Sequence, residues 1–128
     1  MKISTLMTQP VLEIDENSTA QESGEIMGKA HVGSLLVTRK QENVGIITER
    51  DILSKIIAVK GDLEDTKVKD VMSMPLVTAD KDMDAEDAIR KMNKNKVRRL
   101  FITDKGKIIG VFTTSDITRL AAHVLSQN

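Results

Sequence analysis

Gly45-Ile46-Ile47-Thr48-Glu49-Arg50-Asp51 and Gly110-Val111-Phe112-Thr113-Thr114-Ser115-Asp116 are one segment written twice, 65 positions apart. Each reads as an apolar strand running into Thr-x-x-Asp at the start of a helix. Extended outward without a gap, the same offset lays residues 3–58 on 68–123. The identities fall at fourteen positions of the first copy: 7, 10, 15, 20, 27, 29, 32, 35, 38, 40, 45, 48, 51 and 52. Average residue usage would give about three by chance. Both prolines, Pro10 and Pro75, occupy equivalent positions. A half of about 60 residues buries too little apolar surface to be secure alone, so the halves are expected to pack together.

Each copy reads as strand, helix, strand, strand, helix. In the first, Val11–Ile14 is a short strand, and Thr19 and Glu22 have capping-box spacing for a helix to Ala30. Strands follow at Ser34–Thr38 and Val44–Ile47 about a polar turn. A helix from Thr48 carries Ile52, Leu53, Ile56 and Ile57 on one apolar face. The second copy repeats this with Leu76–Thr78, Asp84–Lys94, Leu100–Thr103, Ile108–Phe112 and a helix from Thr113 bearing Ile117, Leu120, Ala121 and Val124. The expected division is repeat 1 over 1–60, a linker over 61–67 and repeat 2 over 68–128.

Composition narrows the function. Nineteen basic and 19 acidic residues give a formal charge of zero, which argues against a nucleic-acid partner. Phe101 and Phe112 are the only aromatic residues, too few for a base-stacking platform. There is no cysteine, hence no disulfide or thiolate chemistry. The opening MKISTLMTQP lacks a signal-peptide core, and no apolar run approaches the roughly 18 residues of a membrane span. A cytoplasmic protein with no membrane partner is expected.

The least demanding account of Thr-x-x-Asp is a capping box, with Thr as N-cap and Asp three residues on. A helix N-terminus also offers free N–H donors and partial positive charge to a phosphate. An adjacent carboxylate can accept hydrogen bonds from a ribose diol. Asp80-Lys81-Asp82-Met83-Asp84 has the opening of a calcium loop, but Ala85 stands where Gly is required and Lys91 where a Glu belongs. His31 and His123 have no second ligand at metal spacing. No metal site and no nucleophile–base pair is expected, so the chain does not read as an enzyme.

These residues resemble a tandem pair of CBS domains, the cystathionine-β-synthase-type motif that forms a Bateman module. The resemblance spans residues 3–125 and rests on the two G-h-h-T-x-x-D segments, Met7–Pro10 and Met72–Pro75 before the first strands, and Asn95-Lys96-Val97-Arg98-Arg99-Leu100. It implies an α+β fold of two βαββα repeats about a pseudo-twofold axis, with small mixed sheets covered by helices. It further implies an adenine nucleotide (AMP, ADP or ATP, with S-adenosylmethionine and NAD as further candidates) in the cleft between the repeats. Asp51 and Asp116 would hold riboses, with Thr48, Arg50, Thr113 and Ser115 near phosphate. The adenine wall would come from the opposite repeat: Leu12, Val32 and Gly33 for Asp116, and Val77, Val97 and Arg98 for Asp51.

Two departures from symmetry unbalance the sites. Gly33 and Ser34 stand where the second copy has Arg98 and Arg99, and Ser115 stands where the first has Arg50. The apolar second helices also suggest a homodimer. The sequence therefore supports a regulatory ligand-sensing module that signals to a protein partner. The alternative is a non-binding interaction module in which Thr-x-x-Asp is only a cap.

Overall fold

The computed structural model describes residues 1–9 and 11–127. Pro10, which completes the proline pair and the first Met-x-x-Pro, lies outside the described residues. The secondary structure is α+β and repeats as expected. The first copy provides β1 (Glu13–Asp15), α1 (Ala20–Ala30), β2 (Ser34–Arg39), β3 (Glu42–Thr48) and α2 (Glu49–Ile52). A short α3 (Val68–Val71) follows. The second copy provides β4 (Thr78–Asp80), α4 (Ala85–Asn95), β5 (Arg99–Asp104), β6 (Lys107–Thr113) and α5 (Thr114–Ser126). Each sheet has three strands, β1-β2-β3 and β4-β5-β6, the first pair parallel and the second antiparallel. Both sheets shift register at the same place, between Val37 and Thr38 and between Ile102 and Thr103.

Several boundaries differ from the sequence reading, each for a physical reason. The first strand of each copy begins two residues late. Leu12 and Val77 contribute only a carbonyl each, to the amides of Leu36 (2.9 Å) and Phe101 (3.0 Å). The apolar residues after Thr48 do not share one face. Beyond Ile52 the helix widens into a π-turn over Leu53–Ile57, which rotates successive side chains off the α-helical register. Ile56 is fully buried, whereas Leu53 is 60% and Ile57 50% exposed. On α5, Ile117 is partly buried and Val124 exposed. The 61–67 stretch is ordered against the start of α1: Leu63 and Thr66 accept from the amides of Gln21 (3.1 Å) and Ala20 (2.8 Å).

The chain forms two compact units that are offset from its sequence repeats. The first unit is Leu12–Leu76; the second joins Met1–Val11 to Val77–Asn128. The lead-in segments are exchanged. Ile3 is fully buried in the second core with Leu100, Ile102 and Phe112, and its amide donates to Met83 at 2.8 Å. Val68, its counterpart in the second copy, is fully buried in the first core with Leu35, Val37 and Ile47.

One ion pair per unit ties the ends of the parallel strands, with reversed polarity. Arg39 grips the mostly buried Glu16 through two hydrogen bonds, at 2.7 and 3.0 Å. At the equivalent positions Lys81 meets Asp104 at 3.3 Å. The Arg39 hydrogen bonds hold the Glu16 carboxyl below its ordinary pKa. No described helix is long and apolar enough to cross a membrane.

Candidate functional site

Each Thr-x-x-Asp segment folds as the cap that its sequence promises. In the first unit the Asp51 amide donates to the Thr48 hydroxyl at 3.1 Å, and the Thr48 amide donates to Asp51 Oδ2 at 3.0 Å. In the second the Thr113 amide donates to Asp116 Oδ2 at 2.7 Å. Both threonine hydroxyls also contact the same Oδ2, at 3.1 and 3.3 Å. Both carboxylates are almost completely buried: Asp51 is 6% exposed and Asp116 3%.

The second oxygen of each carboxylate reveals partners that sequence reading missed. Asp51 Oδ1 accepts from the Ser73 hydroxyl at 2.9 Å and pairs with Lys55 Nζ at 2.9 Å. Lys55 also donates to the Val71 carbonyl at 2.9 Å. Asp116 Oδ1 accepts from the Thr8 hydroxyl at 3.1 Å and pairs with Arg119. A signal was present. Thr8 and Ser73 are equivalent positions, each the hydroxyl residue after the matched Met7 or Met72. Lys55 and Arg119 lie four and three residues beyond their aspartates, on the same helix face. They are not equivalent positions, so comparison of the copies hides them.

Gly45 and Gly110 make these contacts possible. The segment holding Ser73 pairs with β3 through two backbone bonds to Ile46, at 3.0 and 2.8 Å. A Cβ on Gly45 would stand 2.9 Å from the Ser73 carbonyl oxygen. Thr8 pairs likewise with Val111 of β6, at 2.8 and 3.0 Å, and a Cβ on Gly110 would meet Met7 Sδ at 2.5 Å. The glycine of each motif is therefore the gap through which the lead-in segment reaches the aspartate.

The remaining predicted residues divide between the units. Leu12, Val32, Gly33 and Arg50 belong to the first unit with Thr48 and Asp51, and Val77, Val97, Arg98 and Ser115 to the second with Thr113 and Asp116. Within the units, the Gly33 carbonyl accepts from Glu49 at 3.1 Å and the Arg98 carbonyl from Thr114 at 3.2 Å. Arg50, Arg98 and Ser115 are exposed. An open cavity of about 560 Å³ between α1 and α2 is lined by Gly28, Val32, Gly33, Ile52 and Leu53, but not by Asp51. In the second unit a cavity of about 320 Å³ is lined by Asp116, Arg119, Leu120 and His123, but not by Val77, Val97 or Arg98.

The acidic run at 80–84 is used locally. Asp80 accepts from the Asp82 amide at 3.0 Å, Asp82 pairs with Lys2 at 3.2 Å, and Asp84 holds the N-terminal amine at 2.8 Å. Hydrogen bonding to that ammonium keeps the Asp84 carboxyl below its ordinary pKa. Among the described residues no group of three or more His, Cys, Asp or Glu is placed to hold a metal ion.

The CBS domain is matched twice, at residues 3–58 and 68–123. The chain belongs to the CBS domain family. An uncharacterized protein of Methanopyrus kandleri is 30% identical over 98% of this chain, which spans 65% of that protein. An uncharacterized protein of Methanocaldococcus jannaschii is 32% identical over 100% of this chain, which spans 42% of that protein. The CBS pair also has the fold of solved structures. An uncharacterized conserved protein from Pyrococcus horikoshii superposes with a TM-score of 0.86 at 29% identity, covering 94% of this chain and 91% of the other. A CBS domain protein from Pyrobaculum aerophilum complexed with AMP gives 0.81 at 24% identity, covering 95% and 99%.

Proposed function

We propose that this CBS pair is a cytoplasmic ligand-sensing module that binds an adenine nucleotide of the AMP, ADP or ATP type. It reports binding to a protein partner through a change of conformation. The observation that carries the reading is the duplicated buried carboxylate, Asp51 and Asp116, each closing a strand-to-helix junction beside an exposed polar residue, Arg50 or Ser115. A buried carboxylate is costly to keep charged, and it is suited to donors such as a ribose diol. A partner would read the difference in ligand affinity between two arrangements of the chain. Assembly as a homodimer is part of the proposal, supported by the exposed Leu53, Ile57 and Val124.

AMP is the first probe to use, because it is the ligand of the P. aerophilum protein that shares the fold. Calorimetry and thermal shift with AMP, ADP, ATP, S-adenosylmethionine and NAD test the reading, since a ligand of the folded state raises apparent stability. Asp51→Asn or Asp116→Asn is expected to weaken binding about ten- to hundredfold, the worth of a charge-assisted hydrogen bond. Absence of heat and of any melting shift at millimolar ligand overturns it.

One observation favours a second reading. The chain's own donors already fill the acceptor positions of both carboxylates, as a purely architectural role would require. On that reading the module acts through dimerisation or partner docking.

A further inference from the structure

A carboxylate offers about four acceptor positions, and Asp51 spends all of them on Thr48 N, Thr48 Oγ1, Ser73 Oγ and Lys55 Nζ. A ribose hydroxyl can reach Asp51 only if one of these donors leaves. The Thr48 amide cannot, because it is fixed by the cap. Lys55 carries the compensating charge, and leaving would forfeit it. Ser73 is neutral and partly exposed, and beyond Asp51 its hydroxyl meets only a long contact from Lys55 Nζ at 3.4 Å, so its side chain can turn about χ1 while its backbone stays pinned to Ile46. Its hydroxyl is chemically what a ribose brings. The second unit repeats the arrangement, with the exposed Thr8 hydroxyl on Asp116. Thr8 and Ser73 hold equivalent positions, although most residues of the two lead-in segments differ.

We propose that Ser73 and Thr8 are built-in competitors: each hydroxyl holds the place on Asp51 or Asp116 that a ribose hydroxyl takes on binding. The proposal rests on the nucleotide reading above and adds how that site sets its affinity. Binding exchanges one hydroxyl for another on the same carboxylate oxygen. The net gain is therefore small, and the affinity is low by construction. Deleting the competitor raises the free energy of the ligand-free chain and leaves the bound chain unchanged, so affinity rises.

The test is a cycle of two proteins and two ligands, read by calorimetry: wild type and Ser73→Ala, each with AMP and with 2′,3′-dideoxy-AMP. Ser73→Ala is expected to bind AMP about tenfold more tightly and to melt lower without ligand. The dideoxy analogue brings no hydroxyl to exchange, so its affinity should be the same for both proteins. An unchanged or weakened AMP affinity in Ser73→Ala overturns the proposal, as does an equal gain for both ligands, which would mean general loosening. If neither protein binds AMP at millimolar concentration, the nucleotide reading itself fails, and that outcome is distinct from the others. Thr8→Val with the same two ligands repeats the comparison at Asp116, in case Ser73→Ala does not fold. Ser73→Thr keeps the hydroxyl and should bind as wild type.

Discussion

Asp51 and Asp116 show how one residue serves a local and a tertiary role at once. Oδ2 of each closes its own helix cap, while Oδ1 reaches a lead-in segment 22 residues away for Asp51 and 108 residues away for Asp116. The first role was legible in the spacing Thr-x-x-Asp. The second was not, because periodicity carries no information about which distant hydroxyl arrives. Glu16 shows the same limit, since nothing in its neighbourhood announces Arg39. Its depressed pKa has a testable consequence. A carboxyl held low in the folded state adds stability above its unfolded pKa, and loses that contribution as pH falls through the folded value. Arg39→Met should therefore melt below wild type near neutral pH. The gap should close as pH falls through and below the ordinary glutamate range. Thermal melts across pH 7 to 3 check this, and a gap independent of pH would refute it.

At the scale of elements, strand and helix types were legible from apolar patterning, and the boundaries were not. The β1 and β4 starts moved because pairing with β2 and β5 determines where a strand begins. The helix after Thr48 departed most, since a π-turn is invisible to a 3.6-residue period and leaves Leu53 and Ile57 in solvent. α3 is four residues long, too short for any periodicity to emerge. The glycines of the two motifs were read as pattern, and their use is a close approach of the lead-in segments. Gly45→Ala presses a methyl group against a backbone carbonyl and should cost about 1–3 kcal/mol in a denaturant melt. Gly110→Ala presses mainly on the Met7 side chain, which can move, so it should cost less. Equal losses would show that the Ser73 segment yields as easily as the Met7 side chain.

For the whole molecule, the duplication predicted two equivalent halves, and the exchanged lead-in segments make the compact units different from the sequence halves. Truncating Ile3 to Ala should therefore cost about 2–5 kcal/mol through a cavity in the second unit, although the residue lies in the first copy. Hydrogen exchange should report the loss among Leu100, Ile102 and Phe112, and protection lost instead at Leu35, Val37 and Ile47 would contradict the assignment. The exchange also has a consequence for how the chain is made. A ribosome releases residues 1–11 before residues 12–76, and their packing partners, residues 77–128, only after both. The first unit, 12–76, can close as soon as its own residues are out, with the leading peptide still unattached. Residues 1–11 thus dock later than the unit that follows them in the chain can close, and Ile3 waits in solvent until Phe112 has been added.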